Sequence, residues 1–129
     1  MRIHHDVYKW QWKGYARANR DRVNLLVHLV TVPLFWLGVL LAVSAIAFER
    51  TALALYLPLL WLIGMTAQGQ GHRREAAEVE RFLGPIDFIV RLLIEQFVTF
   101  PRYVLSGAFR RALVNAGRTG RAAGAQRPR

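Results

Sequence analysis

Cysteine is absent from all 129 residues, so the chain has no disulfide framework and carries no cysteine-based sign of its redox compartment. Several catalytic signatures are missing too. There is no glycine-rich phosphate loop, no nucleophile elbow and no cysteine cluster. Gly69 and Gly71 imitate the start of a dinucleotide fingerprint, but Arg74 stands where the third glycine belongs and no strand precedes them. No internal repeat is visible. The formal net charge of +10 invites a nucleic-acid reading, yet the chain lacks a basic face with base-stacking aromatics or any known module. No nucleic-acid partner is expected. The most telling absence is local. Residues 23–48, VNLLVHLVTVPLFWLGVLLAVSAIAF, contain no formal charge, and neither do residues 51–67, TALALYLPLLWLIGMTA.

A membrane-spanning helix needs about 20 predominantly apolar residues, with about 17 as the lower limit. The first run passes easily and the second narrowly. Neither run has the polar stripe that a soluble helical hairpin would present to water. Only Glu49 and Arg50 separate them. The expected fold is therefore all-α: an integral membrane hairpin with spans at about 23–48 and 51–68. A cleaved signal peptide explains the first run less well, although Ala45-Ile46-Ala47 resembles a cleavage site. Its basic leader exceeds twenty residues, and the run is longer than the usual ~7–15 residue apolar core of a signal.

The basic residues then set orientation. Six lie in the first 22 residues and eleven follow Gln68, whereas the connection holds only Arg50. Positive loops stay inside, so both termini are expected on the cytoplasmic side of an inner membrane. The arginines there would meet anionic headgroups, which makes membrane lipids the first expected partner. Residues 7–20, VYKWQWKGYARANR, mix aromatics with Lys and Arg and suit an N-terminal interfacial helix. Pro33 and Pro58 invite kinks, which membrane helices tolerate.

A third element begins at Gly84-Pro85, with proline suited to the first helical turn. Asp87, Arg91 and Glu95 recur every four residues and are expected to pair in sequence along one face. With Pro101 as its limit, the 86–100 segment is short for a span and reads as an amphipathic interfacial or re-entrant helix. Residues 1–109 form one helical membrane domain on this reading. The Arg/Gly/Ala-rich 110–129 tail is expected to be disordered. Two spans enclose little interior, so homo-oligomerisation and re-entry of the third helix both remain open.

Folding the runs back at Glu49-Arg50 places His28 about 21 residues before the turn and His72 about 22 after it. At ~1.5 Å per residue the two imidazoles come to the same depth, near the cytoplasmic surface. A histidine within an apolar span is costly and carries a functional hypothesis by default. Asn24 lies one turn before His28 and is expected to orient its ring; Gln68 precedes His72 by one turn. Glu75 follows His72 by three residues, a spacing that lets both bind one ion. His28, His72 and Glu75 would make the two-histidine, one-carboxylate set of non-haem Fe(II) oxygenases. A plain alternative gives the histidines capping and pairing roles only. The His4-His5 pair also has metal-binding character.

These residues carry a resemblance. "NRDRVNLLVHLVTVPLF", residues 19–35, and "QGQGH", residues 68–72, resemble the 2-hydroxy fatty acid dioxygenase family, which carries N-x-x-x-H-x-x-x-x-P and Q-x-x-G-H at the corresponding helix ends. Asn24, His28 and Pro33 match the first motif; Gln68, Gly71 and His72 match the second. The stretch through "EQFVTFPRYVLSG" is similar to a bacterial branch of that family. The resemblance implies an Fe(II)-dependent membrane enzyme that uses O2 to shorten 2-hydroxy fatty acids by one carbon. His28 and His72 would then be iron ligands, with Asn19, Asn24 and Gln68 in supporting places beside them. Arg20, Arg73 or Arg74 would meet the substrate carboxylate. Many members have histidine where this chain has Asn19, which leaves the third ligand to Glu75 or to His4 and His5. The F-E-x-x-R-P run that usually follows the second histidine is also missing. The alternative class is a non-enzymatic membrane protein that binds lipid or a partner.

Overall fold

The computed structural model describes residues 6–76 and 80–125, with side chains described through Thr119. Every regular element in it is helical: α1 (Val7–Ala18), α2 (Arg22–Ala47), a 3-10 turn (Thr51–Leu55) leading into α3 (Tyr56–His72), α4 (Pro85–Ile94), α5 (Phe100–Leu105) and α6 (Ala108–Ala125). The His4-His5 pair lies outside the described residues.

α2 and α3 are the two helices long and apolar enough to cross a membrane, α3 being extended by the preceding 3-10 turn. α2 starts where Asp21 accepts hydrogen bonds from the Val23 and Asn24 amides, a side-chain cap on its first turn. It runs unbroken through Pro33. Their outward residues are apolar and bare, as at Leu40, 64% exposed, and Leu62, 62% exposed. A water-soluble hairpin would have to hide those faces, whereas lipid leaves them as they are.

The two helices pack antiparallel in a regular register. A methyl group on Gly38 would sit 3.2 Å from the Leu57 Cα, one on Gly64 3.6 Å from the Thr31 Cβ, and one on Gly71 2.5 Å from the Asn24 Oδ1. The three pairs recur seven residues apart on each helix. Small residues at each crossing let the backbones approach, the usual means of helix association where lipid supplies no hydrophobic drive. This register puts His28 and His72 at one end of the hairpin.

The third element differs from expectation. It does not stop before Pro101. α4 passes through a π turn (Glu95–Thr99) and continues as α5. Proline removes an amide and crowds the preceding turn, and a widened turn absorbs both defects. Glu95 and Phe100, on either side of the π turn, both face His28. Between them Phe97 packs on Phe35 and the Gln96 carbonyl accepts from Trp36 Nε1 at 3.0 Å. The element therefore crosses α2 rather than running beside it. α1 lies against the same element: Gln11 donates to the Arg91 carbonyl, and Arg102 bonds Tyr8 and stacks on Trp12.

Residues 110–125 are helical, where a disordered 110–129 tail is expected from composition. Gly107, at φ 72, turns the chain out of α5, and α6 follows through Ala125. Phe109 is buried against Phe100 and Tyr103, with Ala112 and Leu113 beside them. The Ala- and Arg-rich composition that reads as too polar to bury is also strongly helix-forming. One apolar edge suffices to dock it.

Candidate metal centre

His28 is 1% exposed, in the first third of α2. Its Nδ1 lies 3.0 Å from the Asn24 carbonyl oxygen. Only a protonated nitrogen can donate there, which in the neutral ring leaves the lone pair on Nε2. Nε2 points to the Glu95 Oε1 at 3.3 Å but makes no well-formed hydrogen bond. The His72 ring centroid stands 5.0 Å from that of His28, at 77° to its plane. His72 Nδ1 is likewise buried without a hydrogen-bond partner. The predicted meeting of the two imidazoles is thus realised across the hairpin.

The carboxylate that joins them is Glu95. One ligand atom from each of His28, His72 and Glu95 lies within 4.8 Å of the other two. Ligands at ~2.0–2.2 Å from one ion stand roughly 3–3.6 Å apart at octahedral or tetrahedral angles, so the three side chains would draw closer around an ion. Two orphaned, buried nitrogens beside a carboxylate fit a divalent ion with positions left for other ligands.

Glu95 is set by the π turn. Asp87 and Arg91 do pair, at 3.5 Å, but the expected Arg91–Glu95 link does not form. Arg91 instead donates to the Glu80 and Arg81 carbonyls and lies over the Trp10 and Phe82 rings. The widened turn begins at Glu95 and presents its carboxylate to His28. Burial by itself would raise the Glu95 carboxyl. The close contact with His28, with His72 and Tyr15 nearby, outweighs burial and holds it below the usual glutamate range. The Tyr15 hydroxyl responds in the opposite direction, pushed well up by burial and then by the Glu95 charge.

Glu75, the carboxylate expected as third ligand, is committed elsewhere. It accepts from the Arg20 amide at 2.9 and 3.0 Å, from the Asp21 amide at 3.0 Å and from Asn24 Nδ2 at 2.7 Å. These bonds clasp the α1–α2 turn to the end of α3, and Arg74 reinforces them through Asp21. The three-residue spacing from His72 held in sequence but not in space, because α3 ends at His72 and Glu75 leaves the helical path.

Asn19 sits behind Asn24, away from the three candidate ligands. It is 2% exposed, donates to the Tyr15 carbonyl at 3.0 Å and accepts from Asn24 Nδ2 at 3.0 Å. Asn24 orients His28 through its backbone carbonyl, while its side chain bridges Asn19 and Glu75. Gln68 does not bond His72. It donates to Thr31 Oγ1 at 2.8 Å and accepts from Gln96 Nε2 at 3.2 Å, so it braces the turn that carries Glu95.

His72 and Glu95 open onto a cavity of about 320 Å³, walled chiefly by apolar groups of α1, α3 and α4, including Trp10, Met65, Phe88 and Leu92. Of the arginines expected near a substrate carboxylate, Arg74 pairs with Asp21, and none of Arg20, Arg73 and Arg74 lines this cavity. Comparison with protein-family models, with curated proteins and with solved structures found no match to this chain.

Proposed function

We propose that this chain is a membrane-embedded Fe(II) oxygenase acting on a lipid-like 2-hydroxy acid, in the manner of the 2-hydroxy fatty acid dioxygenases it resembles. The observation that carries the reading is the convergence of two unpartnered imidazole nitrogens and the Glu95 carboxylate, with His72 and Glu95 on the wall of a largely apolar cavity. Two histidines and one carboxylate with open positions suit Fe(II). His28, His72 and Glu95 would hold the iron, whose contribution would be the activation of O2 for oxidation of the acid. The chain's own part is to hold His28 by the Asn24 carbonyl, to hold Glu95 by the Gln68–Gln96 bridge, and to keep water from an acyl chain in the cavity. On this reading α2 and α3 cross an inner membrane with both termini cytoplasmic, α4 and α5 lie at the interface, and anionic lipids meet the basic surface.

A second reading has one specific observation in its favour. The 3.3 Å His28–Glu95 contact could serve as a structural cross-link in a non-enzymatic lipid-binding protein. Iron content separates the two. Protein purified anaerobically with Fe(II) should hold near-stoichiometric iron, lost in His28→Ala, His72→Ala and Glu95→Ala and retained in Glu75→Gln. Iron-loaded protein should then consume O2 and yield an acid one carbon shorter. A folded wild type without iron removes the oxygenase reading.

A further inference from the structure

The cavity beside the metal centre has two chemically different ends. Trp10, Phe88 and Leu92 suit an alkyl chain, whereas His72, Glu95 and Tyr15 form a polar end. Tyr15 is 5% exposed, and its hydroxyl has no hydrogen-bond partner of ordinary geometry. A buried hydroxyl beside Glu95, on a residue that lines the cavity, adds to its polar end.

Charge then narrows the ligand. Glu80 and Glu95 also line the cavity, so an anionic head group needs a cation there. Two guanidinium groups are on the lining. Arg91 is spent on Asp87, on two backbone carbonyls and on two aromatic rings. Arg17 is exposed and makes no ion pair or hydrogen bond among the described residues. Arg17 lines the cavity, and the backbone of its neighbour Ala18 meets His72, so α1 carries Arg17 in the turn nearest the metal centre.

We infer that Arg17 is the specificity-determining residue that admits organic carboxylates to this cavity, pairing with the carboxylate while the chain lies along the apolar wall. Guanidinium and carboxylate meet in a two-bond fork that an alcohol does not reproduce. The inference deepens the metal-centre reading and rests on it for the reaction, but not for binding. It also moves substrate recognition from the hairpin to α1.

The test compares 2-hydroxyoctanoate with 1,2-octanediol, which keeps the chain and the hydroxyl but lacks the charge. Binding to the full-length detergent-solubilised protein is followed by tryptophan fluorescence, Trp10 lying in the wall. Wild type should favour the acid by about tenfold or more, the ordinary worth of a charged hydrogen bond. Arg17→Gln should lose that preference with diol binding unchanged. Arg17→Lys should recover part of it, and Arg111→Gln, away from this cavity, should keep it. Absence of a preference in wild type, or its survival in Arg17→Gln, overturns the inference. Co(II) uptake, read from its visible absorption in the same preparations, tests the metal centre separately. Wild type that binds no cobalt yet loses acid preference on Arg17→Gln sinks the metal reading and upholds Arg17. Normal cobalt uptake with the preference intact in Arg17→Gln does the reverse.

Discussion

Gly71→Ala is the sharpest perturbation of the packing that brings the histidines together. A methyl group there would meet Asn24 Oδ1 at 2.5 Å, Asn24 Cγ at 3.3 Å and Asn24 Cα at 3.2 Å. The side chain cannot step aside freely, because its Nδ2 already holds Glu75 at 2.7 Å and Asn19 at 3.0 Å. The clash with the Asn24 backbone leaves no escape except parting the helices. Overpacking of this kind costs about 1–3 kcal/mol. Loss of the charge-assisted Asn24–Glu75 bond adds about 1.5–3 kcal/mol. Against these, alanine gains about 1 kcal/mol over glycine in a helix. The balance is a destabilisation of about 1.5–5 kcal/mol. Gly69→Ala is the matched control: it lies two residues away on the same helix, with nothing within 4 Å of the added methyl. It should leave stability unchanged or raise it. Thermal unfolding in detergent, with Co(II) affinity read in parallel, compares the two. Gly71→Ala should lower both the midpoint and the affinity, since His72 is the next residue. Indistinguishable midpoints for the two variants would refute the close approach of α2 and α3 at this level.

Other outcomes follow from the same contacts. Gln68→Leu takes the acceptor from Gln96 Nε2, while Thr31 keeps its bond to the Val27 carbonyl, and loosens the turn bearing Glu95; metal affinity should fall about 10- to 100-fold, as for other groups that support ligands, measured by Co(II) titration. Asp87→Ala leaves Arg91 buried without its carboxylate and should cost about 3–5 kcal/mol in chemical unfolding. Because the chain has no cysteine, Arg50→Cys supplies a single thiol at the hairpin tip. On the proposed orientation an impermeant maleimide should label it from outside intact cells, and labelling only after lysis would reverse the topology. Leu40→Lys puts a charge on a bare face of α2 and should reduce membrane insertion, by about 2.5–3.5 kcal/mol at a span's centre, read from the inserted fraction.

Much of this architecture follows from local sequence alone. Charge-free runs specify two long apolar helices because a bilayer and a helix impose one length scale, and a two-residue charged break makes them a hairpin. Counting outward from that break brings His28 to His72, since two antiparallel helices share one rise per residue. Tertiary structure decided the rest. Glu75 is three residues from His72, but the helix ends between them and backbone amides claim its carboxylate. Glu95 lies 23 residues beyond His72, in a helix whose regular repeat pairs it with Arg91. It reaches the histidines only because a π turn ahead of Pro101 re-aims it and because that element crosses α2. The one signal available was a carboxylate between Ile94 and Gln96 in a mostly apolar segment. The tail shows the same limit: its composition says little about docking, and α6 is placed by Phe109 finding Phe100 and Tyr103. Periodicity is a property of one helix, whereas a ligand set is a property of how several helices cross.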